Sequence, residues 1–302
     1  MEKLTENIYV IPGQTNIGVI KDTQNQLYLI DSGTSRGDAE RIKDELDKTF
    51  NSYTVKAIIN THSHTDHAGA DAYFKQKFNC KIYIQKKEKP LLENSQIYPS
   101  LIWGAHPIPE LCTDYFKIEE TEATDIITEN SVLTLENNIH INFIELPGHY
   151  FEMFGVIVST KDKKIFFLGD GLLGYKNINK YWIFYLMNQK ELLSSFEKIN
   201  SVKADFYIPS HGEVLVSIEE TVEMNQIALL STEICILKIL EKGTFSTEEI
   251  VQKVCEQNSL NLKIVQYTLI YSTIKSYLSV LYEEKKVAFV IENNILKWTK
   301  IN

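Results

Sequence analysis

Four residues within six positions, His62, His64, Asp66 and His67 in the segment THSHTDHAG, have the types and spacing to bind metal in this 302-residue chain. Imidazole suits zinc, copper, iron and nickel, and a carboxylate among the imidazoles adds a harder ligand. The whole chain has seven histidines, so three of them in six positions beside an aspartate point to a metal centre rather than to a solvated loop. At the end of a strand, where the chain changes direction, such side chains can converge on one point. Along a helix they would spread around the axis. Gly69 fits a tight turn that closes the segment through its backbone freedom.

The run 55–59 (VKAII) leads straight into this segment and predicts the strand that positions it. Upstream, 16–20 (NIGVI) and 27–31 (LYLID) flank the polar stretch KDTQNQ, a hairpin signal. Residues 37–50 place Ala39, Ile42, Leu46 and Phe50 at helical spacing. Downstream, the pattern predicts helices over 70–78 and 189–199 and strands over 81–84, 141–146, 155–159 and 165–169. This alternation predicts an α/β architecture with helices covering sheets. Residues 90–130 break the rhythm: they are punctuated by proline and rich in aromatics (Tyr98, Trp103, Tyr115, Phe116). A long segment without periodicity reads as a lid.

Composition narrows the function classes. With 44% hydrophobic and 24% charged residues, the chain can bury a sizeable core in two domains, or in one with an appendage. The net charge is −9 and the sequence contains two arginines, Arg36 and Arg41, which disfavours nucleic acid as a partner. Cys80, Cys112, Cys235 and Cys255 show no CxxC spacing and read as reduced thiols. The N-terminus MEKLTEN is polar and no apolar run reaches membrane-spanning length, so we expect a cytoplasmic protein without membrane contact.

THSHTDHAG resembles the HxHxDH signature of the metallo-β-lactamase superfamily. The remaining motifs of that family occur in its order: Asp31 in LIDSG, His149 in LPGHYFEMFG, Asp170 in FLGDG and His211 in IPSHG. The resemblance spans roughly residues 8–215 and implies a four-layered αβ/βα sandwich with a dinuclear site at one edge. It implies that His62, His64 and His149 hold one divalent ion, that Asp66, His67 and His211 hold the other, that Asp170 bridges them and that Asp31 orients a ligand. Zinc is the default, and ligand type alone also admits iron or manganese. The implied chemistry is attack on a carbonyl or phosphorus by a metal-bound hydroxide, with Asp66 as the catalytic residue that orients it. The complete ligand set favours a hydrolase over the flavodiiron and mononuclear dioxygenase relatives. His106 and His140 match no family motif and read as a lid residue and a strand or surface residue. One departure stands out: Tyr150-Phe151-Glu152-Met153 replaces the Thr/Ser-Pro-Gly segment many relatives carry after this histidine, giving a bulkier, more aromatic pocket wall.

We read residues 1–217 as the catalytic domain and 218–302 as an accessory domain. In the latter, helices over 231–242, from a capping box at Ser246 to Glu249, and over 262–284 precede β-like runs 287–291 and 295–299. From Tyr271 through Trp298 it resembles the winged-helix appendage of one subgroup of the superfamily, some of whose members cleave single-stranded RNA. It contains nine Lys and eleven Glu but no Arg or Asp, poor equipment for neutralising phosphates. It reads instead as a domain that packs on the catalytic one or forms a homodimer. Tyr181, Trp182, Phe184 and Tyr185, with Trp103 and Tyr150, either line an apolar pocket or belong to a core or subunit interface. The leading reading is a metal-dependent hydrolase of a small ester, thioester or lactone. The alternatives are a single-stranded RNA endoribonuclease and a metal- or ligand-responsive DNA-binding regulator.

Overall fold

Aliphatic runs with alternating burial build two sheets in this computed structural model, which describes residues 1–180 and 183–301. The first sheet has seven strands in chain order: β1 (Glu2–Lys3), β2 (Ile8–Ile11), β3 (Ile17–Lys21), β4 (Gln26–Ile30), β5 (Thr54–Ile59), β6 (Lys81–Gln85) and β7 (Asp125–Ile127). Neighbours pair antiparallel up to β4 and parallel from β4 to β7. Parallel pairing requires crossovers. They are supplied by α1 (Arg36–Thr49), by α2 (Thr65–Ala68) with α3 (Asp71–Phe78), and by α4 (Lys89–Glu93) with α5 (Ile97–Trp103).

The second sheet has β8 (Val132–Thr134), β9 (His140–Glu145), β10 (Phe154–Ser159), β11 (Lys164–Leu173) and β12 (Phe206–His211), side by side in the order β12-β11-β10-β9-β8. β11 and β12 are parallel, joined through α6 (Tyr175–Lys180) and α7 (Gln189–Ser201). Alternation sends each strand's side chains to two different cores. Ile8, Val10, Ile20 and Ile59 of the first sheet meet Phe143, Val156, Phe167 and Ile208 of the second. On the far face of the first sheet, Leu29 and Ile58 pack with Ile42 and Leu46 of α1 and Phe74 of α3. On the far face of the second, Phe166 and Leu168 pack with Leu192, Phe196 and Ile199 of α7. Four layers result, helix–sheet–sheet–helix, as the resemblance implied.

Beyond β12 come α8 (Glu219–Leu240), β13 (Phe245–Ser246), α9 (Thr247–Gln257), α10 (Ile264–Glu283) and the hairpin β14 (Val287–Glu292) and β15 (Ile295–Lys300), the winged-helix-like arrangement. The capping box is formed: Ser246 Oγ accepts from Glu249 N–H, and Glu249 Oε2 accepts from Ser246 N–H at 2.7 Å. α8 begins twelve residues before the expected helix over 231–242, because Val222 and Leu229 of its first half already pack into the core that α7 shares with the tail. Residues 90–130 likewise hold more structure than an aperiodic loop. Pro90 sits in the first turn of α4, where its missing N–H leaves no helical bond unmade. Gly69 has an ordinary helical φ of −65°. It is required for close packing, since a Cβ there would lie 1.9 Å from the Thr34 carbonyl oxygen. Among the described residues, no helix is long and apolar enough to cross a membrane.

Candidate metal centre

All seven expected ligand residues gather at the sandwich edge where the strands end. Asn60-Thr61 carry the chain from β5 to His62; His64 starts α2, whose first turn bears Asp66 and His67. His149 lies between β9 and β10, and His211 ends β12. Asp170 sits inside β11, where pairing with β12 shifts register on either side of Gly169, which adopts φ +56°. Such an irregularity re-aims a side chain out of the regular alternation. The N-terminal loop is tied to the same edge: Asn16 Nδ2 donates to the carbonyls of Pro209 (2.9 Å) and Gly212 (2.7 Å).

The ligand atoms form two groups. His62, His64, His149 and Asp170 each offer one atom within 4.8 Å of the others, and Asp66, His67 and His211 do the same. His64 Nδ1 lies 2.9 Å from His62 Nε2 and 3.2 Å from His149 Nε2. Asp170 spans both groups, with Oδ2 3.3 Å from His149 Nε2 and Oδ1 3.3 Å from His67 Nε2 and 3.4 Å from His211 Nε2. Asp66 Oδ2 is 3.1 Å from His211 Nε2.

The outer ring nitrogens settle which atoms face inward. His67 Nδ1 donates to Asp31 Oδ2 at 2.8 Å, His149 Nδ1 to the Tyr185 carbonyl at 3.0 Å, and His211 Nδ1 to the Gln14 carbonyl at 2.8 Å. His62 Nδ1 lies 3.2 Å from the Thr61 hydroxyl, which itself donates to Asp31 Oδ2. The Nε2 lone pairs of these four rings therefore converge with carboxylate oxygens. His67 Nε2 and Asp170 Oδ1 are buried without a hydrogen-bond partner. Lone pairs facing one another at such distances repel unless a cation lies among them, so these two groups of nitrogen and oxygen donors fit two divalent ions.

Burial, with the neighbouring imidazoles, holds His62 and His64 well below the usual histidine value, and burial lowers His149. At His67, burial is outweighed by Asp170, Asp66 and Asp31, and at His211 by Asp170 and Asp66, so both are raised. Asp66 and Asp170 are lowered despite burial, Asp66 chiefly by His67 and Asp170 chiefly by His211. The anionic side of the centre thus draws protons to the nitrogens a metal ion would take, and the two compete.

Exposure is lopsided. His62, His64 and His149 are buried, whereas the Asp66 and His211 side chains are 26% and 18% exposed. Over the buried side lie three tyrosine rings: Tyr98 stacked on His64 at 5.1 Å, Tyr150 at 4.1 Å and Tyr185 at 5.7 Å. Tyr98 and Tyr150 belong to an apolar cap with Ile102 and Phe116, against which Ile264, Val265 and Leu269 of α10 pack. The tail therefore reaches the cap over the site. Of the aromatics singled out in the sequence, Tyr150 and Tyr185 line this cap, Phe184 packs into the core, Trp103 is exposed, and Tyr181 and Trp182 lie outside the described residues. His106 is exposed, and His140 is an exposed β9 residue beside the Thr134 hydroxyl.

Three supporting residues escaped the sequence reading. Thr61 links Asp31 to His62 through its hydroxyl. Asp71, at the start of α3, and Glu88, after β6, are buried carboxyls, each pushed up to about 7 chiefly by burial. Glu88 sits in QKKEKP, a charge run that reads as solvated surface.

The metallo-beta-lactamase superfamily profile matches residues 10–211. The chain belongs to that superfamily. As a member it is a metallo-hydrolase, and its fold and site are those of one. Among curated proteins, this metallo-hydrolase is 26% identical over 215 residues to a protein named "Probable metallo-hydrolase" from Methanocaldococcus jannaschii, covering 70% of this chain and 89% of that one. It is 28% identical over 169 residues to the hydroxyacylglutathione hydrolase GloC of Haemophilus influenzae, covering 55% and 72%. Among solved structures, a metallo-beta-lactamase family protein of Thermus thermophilus superposes with a TM-score of 0.77 at 14% identity, over 99% of this chain and 100% of that one. That likeness extends the shared fold through the tail.

Proposed function

We propose that this metallo-hydrolase cleaves a small ester, thioester or lactone at a dinuclear centre. His62, His64 and His149 would hold one ion, Asp66, His67 and His211 the other, with Asp170 shared and zinc the default metal. The observation that carries the substrate reading is the cap: tyrosine rings and aliphatic side chains cover the His64 side of the centre. The H. influenzae relative, named for hydrolysis of hydroxyacylglutathione, supports the thioester class. Two divalent ions, when bound, supply polarisation of the carbonyl and a water acidic enough to attack near neutral pH.

The protein's own residues do the rest. Asp31, Thr61, the Tyr185 carbonyl and the Gln14 carbonyl fix the rings of His67, His62, His149 and His211 through their outer nitrogens. Asp66, on the accessible side, orients the attacking water. Tyr98, Tyr150 and Tyr185 exclude solvent and bind the apolar part of the acyl group.

The test is metal analysis of the wild type, Asp66→Ala and His149→Ala, with a hydrolysis screen of thioesters, lactones, phosphodiesters and single-stranded RNA. We expect two ions in the wild type, fewer in both variants, and turnover of a thioester or lactone. Full metal content in both variants refutes the ligand reading, and cleavage of RNA alone replaces the substrate reading with the ribonuclease one.

A further inference from the structure

We propose that Glu88 is a positioning residue that sets the loop bearing His64 against the loop bearing His149, so that both rings reach one ion. The proposal rests on the ligand reading above. Glu88 is fully buried, and three donors converge on its carboxylate. Oε2 accepts from Ser63 N–H at 3.1 Å and from the Ser63 hydroxyl at 2.5 Å. Oε1 accepts from Glu152 N–H at 3.2 Å. Ser63 is the residue between His62 and His64, and Glu152 follows His149 by three positions, so one side chain bridges two ligand-bearing loops far apart in sequence.

A second link reinforces the first. The Glu152 carboxylate returns to the neighbouring residue, accepting from Lys87 N–H at 2.9 Å and pairing with Lys87 Nζ at 3.0 Å. The loop after His149 reads Tyr150-Phe151-Glu152 and contains no proline to fix its φ angles. The buried carboxylate supplies that restraint from outside the loop. A carboxyl group taken wholly out of water is costly unless its oxygens are hydrogen-bonded, and here both oxygens are engaged by the loops that must be aligned.

The geometry dictates the informative substitution. In Glu88→Gln one oxygen becomes an NH₂ group, which must face either Ser63 N–H or Glu152 N–H. Whichever way the amide turns, one backbone donor loses its acceptor and one loop is released. Glu152→Ala, by contrast, keeps the Glu152 N–H and hence the bond to Glu88, removing only the surface link to Lys87.

The experiment compares metal-free wild type, Glu88→Gln, Glu152→Ala and His149→Ala by chelator competition with Zn²⁺, by the visible absorption of the Co²⁺-loaded proteins, and by thermal unfolding without metal. In Glu88→Gln we expect one of the two equivalents to bind about 10- to 100-fold more weakly. The other should be unchanged, the Co²⁺ bands altered and the metal-free midpoint close to wild type. Glu152→Ala should weaken metal binding far less than Glu88→Gln. Wild-type affinity for both equivalents in Glu88→Gln overturns the proposal. So does equal weakening of both equivalents together with a fall in the metal-free midpoint, which marks a general structural role. Should His149→Ala retain both equivalents, the ligand reading itself is wrong, and the role of Glu88 falls with it.

Discussion

Replacing Asp31 with asparagine tests how the fold controls a single proton. Asp31 Oδ1 accepts from Thr61 N–H at 2.8 Å, while Oδ2 accepts from His67 Nδ1 at 2.8 Å. In Asp31→Asn the carbonyl oxygen stays on the backbone donor, which leaves the NH₂ group facing His67. The imidazole must then turn its Nδ1 lone pair outward and carry its proton on Nε2, the atom that faces Asp66 and Asp170. The alternative amide orientation restores the His67 bond but leaves Thr61 N–H buried without an acceptor. Either way a hydrogen bond to a charged group is lost, worth about 1.5–3 kcal/mol, which corresponds to about 10- to 150-fold in metal affinity at about 1.4 kcal/mol per decade. Backbone strain does not confuse the result, because Asp31 has φ +61° and asparagine tolerates that region well. The assay is chelator competition with Zn²⁺, coupled to nitrogen NMR of the His67 ring. Wild-type affinity for both equivalents, or a His67 proton still on Nδ1 with Thr61 N–H still protected from exchange, refutes the reasoning.

Two further outcomes follow from buried groups. The Asp71 carboxyl is raised from 3.8 to about 7, chiefly by burial, so the folded state holds its proton more tightly than the unfolded chain. Its contribution to stability is complete below pH 3.8 and is lost as pH rises to about 7, by roughly 4 kcal/mol at most. Asp71→Asn removes that loss, so in urea unfolding of the metal-free proteins the variant should gain on the wild type between about pH 5 and about pH 8; parallel pH profiles count against a buried proton at Asp71. Tyr98 stacks on His64 within the cap. Tyr98→Ala should lower kcat/KM for aromatic acyl thioesters about 2- to 10-fold, the value of one ring contact, with acetyl substrates less affected. An equal fall for both shows that Tyr98 does not read the acyl group.

The metal-binding segment was legible because the chemistry demands particular residue types, and four of them fall in HSHTDH beside a clear strand. In the tail, α9 was legible because the Ser246 cap has a local signature, whereas the first half of α8 was not. What escaped is created by tertiary approach. Glu88 looks like surface in QKKEKP and becomes buried because two loops from different sheets close over it. Asp71 looks like an ordinary acidic residue in the first turn of α3 and is sealed against Asn60. The helices α4 and α5 were masked by Pro90 and Pro99, and the approach of α10 to the cap depends on partners, from Tyr98 to Tyr185, at least 79 positions away, which no local pattern encodes.

The ties between the N-terminal loop and the last catalytic strand bear on how the protein is made. Gln14 supports His211, and Asn16 holds the carbonyls of Pro209 and Gly212. A nascent chain therefore cannot close its catalytic edge until residue 212 has left the ribosome, about 10 to 40 s after initiation at typical synthesis rates. Before then the chain offers His62, His64, Asp66, His67, His149 and Asp170 but lacks His211 and the tie between its ring and the Gln14 carbonyl. The complete ligand set thus forms only once β12 has emerged and closed against the N-terminal loop.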